Sequence, residues 1–122
     1  MLSFFWVFLG GGLGSLARFG IARALQHWRW HFPLATLLAN IISCLLLGYL
    51  MGLASRGQLS DPSKLLLMTG FCGGFSTFST FSGESHALLQ SGHFGLAVLN
   101  LGGSLILGLI CIYLGLRLGA AV

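Results

Sequence analysis

The sequence predicts an all-α integral membrane protein in which four transmembrane helices form a single domain over residues 1–122. Of its residues, 56% are hydrophobic and only 7% are charged, and the mean hydropathy is +0.93. A soluble domain carries about a quarter charged residues, so the surface of this chain must face the lipid bilayer. Four stretches each hold about 20 mostly apolar residues, the length that crosses the hydrocarbon core.

The first two segments are joined by a loop of residues that favour the membrane interface. The first segment runs from about Leu2 to Leu25, and the second from Pro33, which suits a first helical turn, to about Ser55. Tryptophan beside basic groups is typical of an anchor at the lipid headgroups. The loop consists of His27, Trp28, Arg29, Trp30 and His31.

The third and fourth segments are bounded by turn residues. Asp61 is the expected N-cap of the third segment, and Pro62 its first helical residue. This segment runs to about Gln90, residues 91–93 form a short turn, and the fourth segment extends from about Phe94 to Leu118.

Many of the 19 glycines are spaced four residues apart, which in lipid allows helix backbones to approach closely. We therefore expect a tightly packed bundle whose contacts extend to a second subunit. The pairs are Gly10 and Gly14, Gly48 and Gly52, Gly70 and Gly74, and Gly115 and Gly119.

The basic residues give almost no orientation signal. Arg23 and Arg29 fall on one side of the membrane, and Arg56, Lys64 and Arg117 on the other. Two interpretations stay open: a single orientation with a weak signal, or insertion both ways round to give an antiparallel dual-topology homodimer. The basic residues form no patch of the kind that binds nucleic acid, so we expect no nucleic-acid partner.

The sequence contains no pattern typical of an enzyme. Cys44, Cys72 and Cys111 lie in apolar runs without CxxC spacing, which favours buried thiols over a disulfide or a zinc site. Neither a nucleophile–base pair nor a metal cluster is evident within the membrane.

The third segment carries the most unusual pattern, because Gly73–Gly74 precedes a run of hydroxyls with a phenylalanine at every third position. Paired glycines disfavour a continuous helix and predict a break near the middle of the segment. A break frees backbone carbonyls, which suit a hard cation, while the hydroxyls can donate to an anion. In the alternative, the hydroxyls bond back to helical carbonyls and the glycines only allow packing. The hydroxyl residues are Ser76, Thr77, Ser79, Thr80 and Ser82.

Other polar or aromatic residues are candidates for a polar path. The ring edges of Phe78 and Phe81 carry partial positive charge and attract a small anion, although a lone phenylalanine is usually core. Asn40 can donate to an ion or tie helices together, and the same alternatives apply to Asn100 and Ser104, which share a helical face.

Two charges are not easily assigned to loops. Arg18 can snorkel outward or form an electropositive mouth, and Glu84 can pair with it or cap a polar path.

These residues resemble the Fluc/CrcB family of small fluoride channels over nearly the whole chain. The resemblance rests on Gly10–Arg18, on Pro33–Asn40 and above all on Gly70–Ser82 followed by Glu84. It implies a fluoride-selective channel in the bacterial inner membrane, a multi-pass antiparallel homodimer with two pathways that lowers fluoride toxicity by passive efflux.

The resemblance also implies roles for individual residues. A structural sodium ion at the dimer centre is held by the backbone carbonyls of Gly73 and Ser76, and Phe78 and Phe81 offer ring edges to fluoride. Asn40 matches the pore asparagine. The remaining matches are Ser79 and Thr80 in the hydroxyl track, Arg18 in the vestibule and Glu84 at the acidic position.

Position 76 is serine where the family often has threonine, and the fourth helix, with Asn100 and Ser104, matches less clearly. Two other classes of function fit the residues less well. A proton-coupled small multidrug exporter needs a carboxylate deep in the bundle, normally in the first helix, which has none. A non-transporting membrane assembly subunit leaves the hydroxyl–phenylalanine run unexplained.

Overall fold

The computed structural model describes residues 1–28 and 31–122, and these residues form helices and short connections without any strand. Helix α1 spans Leu2–Ala24 and α2 spans Leu34–Ser55, close to the predicted bounds. Arg29 and Trp30 of the predicted interface loop lie outside the described residues. Pro33 is the N-cap of α2, one residue before its predicted place in the first turn.

The third segment consists of several helical pieces. Its first turn, α3 (Asp61–Ser63), continues directly into a π-helix (Lys64–Cys72) and then into α4 (Gly73–Phe75). After a break, α5 spans Phe78–Gln90, and α6 follows at Phe94–Ala121. By length and composition, α1, α2 and α6 can each cross a membrane as one helix. Together with the broken third segment they make the four predicted helices.

The break confirms that the third segment is interrupted near its middle, but the expected position was wrong. Ser76 and Thr77 are extended, with φ/ψ of −99°/146° and −142°/126°, whereas Gly73 is helical at −65°/−37°. Gly74 instead packs against α1, since a Cβ at this position would collide with the Gly11 carbonyl. Gly74 therefore serves packing, and the helix ends where the hydroxyl run begins.

The N-cap of the third segment also differs from the prediction. The Ser60 side chain accepts a hydrogen bond from the Ser63 N–H at 3.3 Å, so Ser60, not Asp61, is the cap. Asp61 and Pro62 both lie in the first turn, where a carboxylate complements the positive helix end.

The predicted glycine spacing forms two close helix pairs. A Cβ on Gly48 would collide with the Ile112 carbonyl, and one on Gly115 with the Leu45 carbonyl, so α2 and α6 touch backbone to backbone. Gly10 and Gly14 bring α1 equally close to the π-helix. Since lipid is as apolar as the side chains, such close packing is a main source of helix association.

Candidate functional site

The backbone carbonyls of Cys72 and Gly74, just before the break, receive side-chain hydrogen bonds from α1, α2 and Ser76. The Cys72 carbonyl accepts from Ser43 Oγ of α2 at 3.2 Å, from Ser76 Oγ at 3.1 Å and from the Ser76 N–H at 3.2 Å. The Gly74 carbonyl accepts from Ser15 Oγ and from Arg18 Nε of α1, each at 3.5 Å. The Cys72 carbonyl thus keeps its helical bond and gains side-chain donors, while Ser15 and Arg18 of α1 partner the Gly74 carbonyl next to the break.

The resemblance implies that the backbone carbonyls of Gly73 and Ser76 bind sodium, and both residues lie at or just before the break. Gly73 is exposed, and nothing lies within 4 Å of where its Cβ would be. The Ser76 hydroxyl donates to the Cys72 carbonyl, so the side chain of Ser76 is already engaged within the chain. Neutral carbonyl oxygens are ligands that hard cations accept.

Phe78 and Phe81 lie together at the start of α5. Their ring centroids are 6.1 Å apart with ring planes inclined by 45°. Both line an apolar cavity of about 440 Å³, which Leu101, Ser104 and Leu105 of α6 complete. Phe78 is 80% exposed in the single chain, so one side of this cavity is open to lipid or to a second copy.

The hydroxyls of the run differ in their surroundings. Ser79 and Thr80 are exposed, and the Ser79 and Thr77 hydroxyls form a hydrogen bond of 3.0 Å. Thr80 lies on a different cavity from the one that Phe78 lines, beside Arg18 and Glu84.

Glu84 is the residue common to three cavities at one end of the bundle, which we call the Glu84 vestibule. One cavity of about 190 Å³ is bordered by Arg18, Thr36 and Thr80, and a second of about 190 Å³ by the end of α1. The third, of about 290 Å³, reaches His31 and His93. The vestibule therefore links the interhelical connections at this end of the bundle with the hydroxyl run.

Arg18 and Glu84 share a cavity but form no salt bridge among the residues that the structure describes. The Glu84 carboxylate instead accepts a hydrogen bond from the Thr36 hydroxyl of α2, while Arg18 bonds the Gly74 carbonyl. The two predicted charges thus line one cavity but bond separate partners. Sequence reasoning missed Thr36, although a hydroxyl within an apolar segment marks a group that needs a partner.

Asn40 is half-buried on α2, and no hydrogen bond joins its amide to another described residue of the chain. An amide within the membrane must find a partner. Within the described chain Asn40 does not tie helices together, so its donation to an ion stays a prediction.

Asn100 and Ser104 form a hydrogen-bonded chain between helices. The Asn100 amide is 1% exposed and donates to Ser85 Oγ of α5 at 2.9 Å, while Ser104 Oγ donates to Asn100 Oδ1 at 3.3 Å. This arrangement supports the role of Asn100 as a tie between helices. Ser104 also borders the apolar cavity lined by Phe78 and Phe81, which we call the phenylalanine cavity. That Ser104 faces a pore stays a prediction.

Comparison with known proteins assigns the family. The family described as "CrcB-like protein, Camphor Resistance (CrcB)" matches residues 5–116. The chain belongs to the CrcB family. A relative from Methylobacillus flagellatus, named fluoride-specific ion channel FluC, is 44% identical over 92% of this chain and 90% of its own. The FluC of one Thermus thermophilus strain is 45% identical over 95% of this chain and 94% of its own.

A third CrcB relative, the FluC of Pyrococcus abyssi, is 45% identical over 88% of this chain and 87% of its own. These names describe ion channels and not enzymes, in agreement with the sequence prediction. The family and the apolar helices together identify the chain as a membrane protein.

Proposed function

We propose that the chain is a fluoride-selective channel that lets fluoride leave the cell passively and so reduces its toxicity. The observation that carries this proposal is the near full-length identity of 44–45% to relatives named fluoride-specific ion channels. We place it in the bacterial inner membrane.

The polar groups suit the demands of this ion. Fluoride is strongly hydrated, so a narrow path must replace its water with hydrogen-bond donors while avoiding a fixed full charge that would trap it. Thr80, beside the Glu84 vestibule, and Ser79 supply hydroxyl donors, and the amide of Asn40 supplies another. The edges of Phe78 and Phe81 add partial positive charge in an otherwise apolar cavity.

The functional unit that we propose is an antiparallel homodimer with two pathways. Phe78 and Gly73 are exposed in the single chain, and the phenylalanine cavity is open on one side. A second copy covers these surfaces, and the nearly balanced basic residues allow it to insert in the opposite orientation.

A structural sodium ion at the centre of this dimer completes the proposal. Hard cations take several oxygen ligands, and one chain supplies only the carbonyls of Gly73 and Ser76, so a second chain supplies the same pair. Bound there, the ion neutralises the converging carbonyl dipoles. Ser76→Ala should retain sodium-dependent assembly, because the proposed ligand is the carbonyl. Loss of that dependence in Ser76→Ala would show that the side chain is the ligand.

The decisive experiment measures fluoride efflux from liposomes that contain the purified protein, with chloride as the control anion. We expect fluoride to leave and chloride to be retained. Equal passage of both ions, or of neither, contradicts a fluoride channel. Orientation is tested separately, since cysteine accessibility that reports a single topology would contradict the antiparallel dimer and leave fluoride transport intact.

A further inference from the structure

Two histidines from separate connections meet at the Glu84 vestibule. His31, just before α2, and His93, the N-cap of α6, stack with ring centroids 4.7 Å apart and planes inclined by 24°. Both rings border the cavity of about 290 Å³ that Glu84 also lines. The fluoride pathway described above makes no use of either imidazole.

Hydrogen bonding indicates which nitrogen of His93 is free. The Ser91 hydroxyl donates its single hydrogen to the Leu88 carbonyl at 3.2 Å. Its oxygen must therefore accept from His93 Nδ1, which lies 2.8 Å away. In the neutral ring the proton is on Nδ1, and Nε2 is the nitrogen that takes up a second proton without breaking the bond to Ser91.

The charges around the vestibule can be counted. Among the described residues that line the vestibule, Arg18 contributes one positive charge and Glu84 one negative charge. The cavity at the end of α1 adds no titratable side chain besides Glu84 among its described lining residues, which include Ala22 of α1 and Leu25, Gln26 and Trp28 of the connection after it. The first proton taken up by the stacked pair adds one positive charge, and repulsion between rings 4.7 Å apart disfavours a second.

We propose that the His31–His93 pair forms a proton-dependent binding site for a small monovalent anion at the mouth of the pathway. Histidine is the side chain whose charge ordinarily changes between about pH 5 and 8. A cleft lined by one sign of charge concentrates ions of the other sign. A proton on the pair thus adds positive charge at the mouth, where it gathers fluoride beside Arg18 and Thr80. This inference rests on the proposed function.

The test compares fluoride efflux from liposomes at about pH 6 and about pH 8, after subtraction of the leak from protein-free vesicles at each pH. We expect wild-type flux to rise about three- to tenfold on acidification, the scale of modest electrostatic steering. The double variant His31→Gln/His93→Gln should show nearly the same flux at both pH values. His86→Gln is the matched control, since His86 is exposed on α5 and does not line the cavity, and it should keep the ratio.

A further variant keeps the test informative if the double substitution fails to assemble. His31→Lys places a permanent charge at the mouth, so its flux at about pH 8 should approach that of the wild type at about pH 6. An unchanged ratio in the double variant, or a wild-type flux that does not rise with acid, overturns the inference. Absence of wild-type fluoride flux at both pH values instead overturns the proposed function.

Discussion

The side-chain amide of Asn100 donates to Ser85 Oγ at 2.9 Å and thereby ties α6 to α5, the half of the third segment that follows the break. Ser85 Oγ in turn donates to the Phe81 carbonyl at 2.9 Å. Because Asn100 is 1% exposed, its polar atoms depend on this chain of bonds. The position of Phe81 is thus linked to an amide on a neighbouring helix.

Asn100→Leu should weaken the attachment of α5 to α6. The substitution removes the bonds to Ser85 and Ser104, and hydrogen bonds between membrane helices contribute about 0.5–2 kcal/mol. A thermal unfolding assay in detergent should therefore show a lower midpoint. Ser104→Ala removes one weaker bond, of 3.3 Å, and should show a smaller loss. Equal midpoints for wild type and Asn100→Leu would contradict the tie.

At the contact between α2 and α6, replacing a glycine by alanine should cost more stability than it does at an open position. Gly115→Ala places a Cβ against the Leu45 carbonyl and should destabilise the fold by about 1–3 kcal/mol through overpacking. Gly20→Ala in α1 is the control, since nothing lies within 4 Å of the added carbon. It should be neutral or stabilising, as alanine favours a helix over glycine by about 1 kcal/mol. Comparable losses in both variants would show that the loss does not come from the close contact.

The outcome at the third segment shows what sequence patterns can and cannot predict. The apolar lengths predicted α1, α2 and the full extent of α6 to within three residues, because hydropathy dominates in lipid. The break was predicted from glycine propensity, yet packing against Gly11 keeps Gly74 helical and moves the break to Ser76 and Thr77. Local propensity is a weak guide where tertiary contacts decide the backbone.

For the candidate site, the sequence indicated which residues are unusual but not how they associate. Phe78 and Phe81 were both candidates for one path, and both line one cavity. An ion pair between Arg18 and Glu84 was one expectation, whereas Arg18 bonds a backbone carbonyl and Glu84 accepts from Thr36. Such partners depend on the distance between helices that are far apart in sequence, which no local pattern encodes.

Asn40→Asp tests whether the amide of Asn40 serves the permeating anion. The change keeps the size of the side chain but replaces a donor by an acceptor with negative charge, which repels fluoride. We expect fluoride efflux to be abolished while the dimer still assembles, as judged by size-exclusion chromatography. Asn40→Ser, which retains a donor, should keep part of the flux. Wild-type flux in Asn40→Asp would assign the residue to helix packing.

The final prediction separates a pore wall from a packed core at Phe78 and Phe81, whose rings line one apolar cavity. Phenylalanine to isoleucine keeps much of the bulk but removes the electropositive ring edge. If the edges contact fluoride, Phe78→Ile and Phe81→Ile should each lower the efflux per folded dimer by about tenfold or more, equivalent to about 1.4 kcal/mol in the transport barrier. If the rings only pack, the cost is about 1–3 kcal/mol of stability with normal flux in the dimers that survive.

Exposure in the single chain provides a matched control for this experiment. Phe8 is 79% exposed, as Phe78 is at 80%, but it lies on α1 and does not line the phenylalanine cavity. Phe8→Ile should therefore leave the flux unchanged, and Phe78→Met should lose less than Phe78→Ile because sulfur is polarisable. Efflux and thermal midpoint are measured on the same preparations. Normal flux with lower midpoints in Phe78→Ile and Phe81→Ile would show that the rings only pack in the core and do not contribute to fluoride transport.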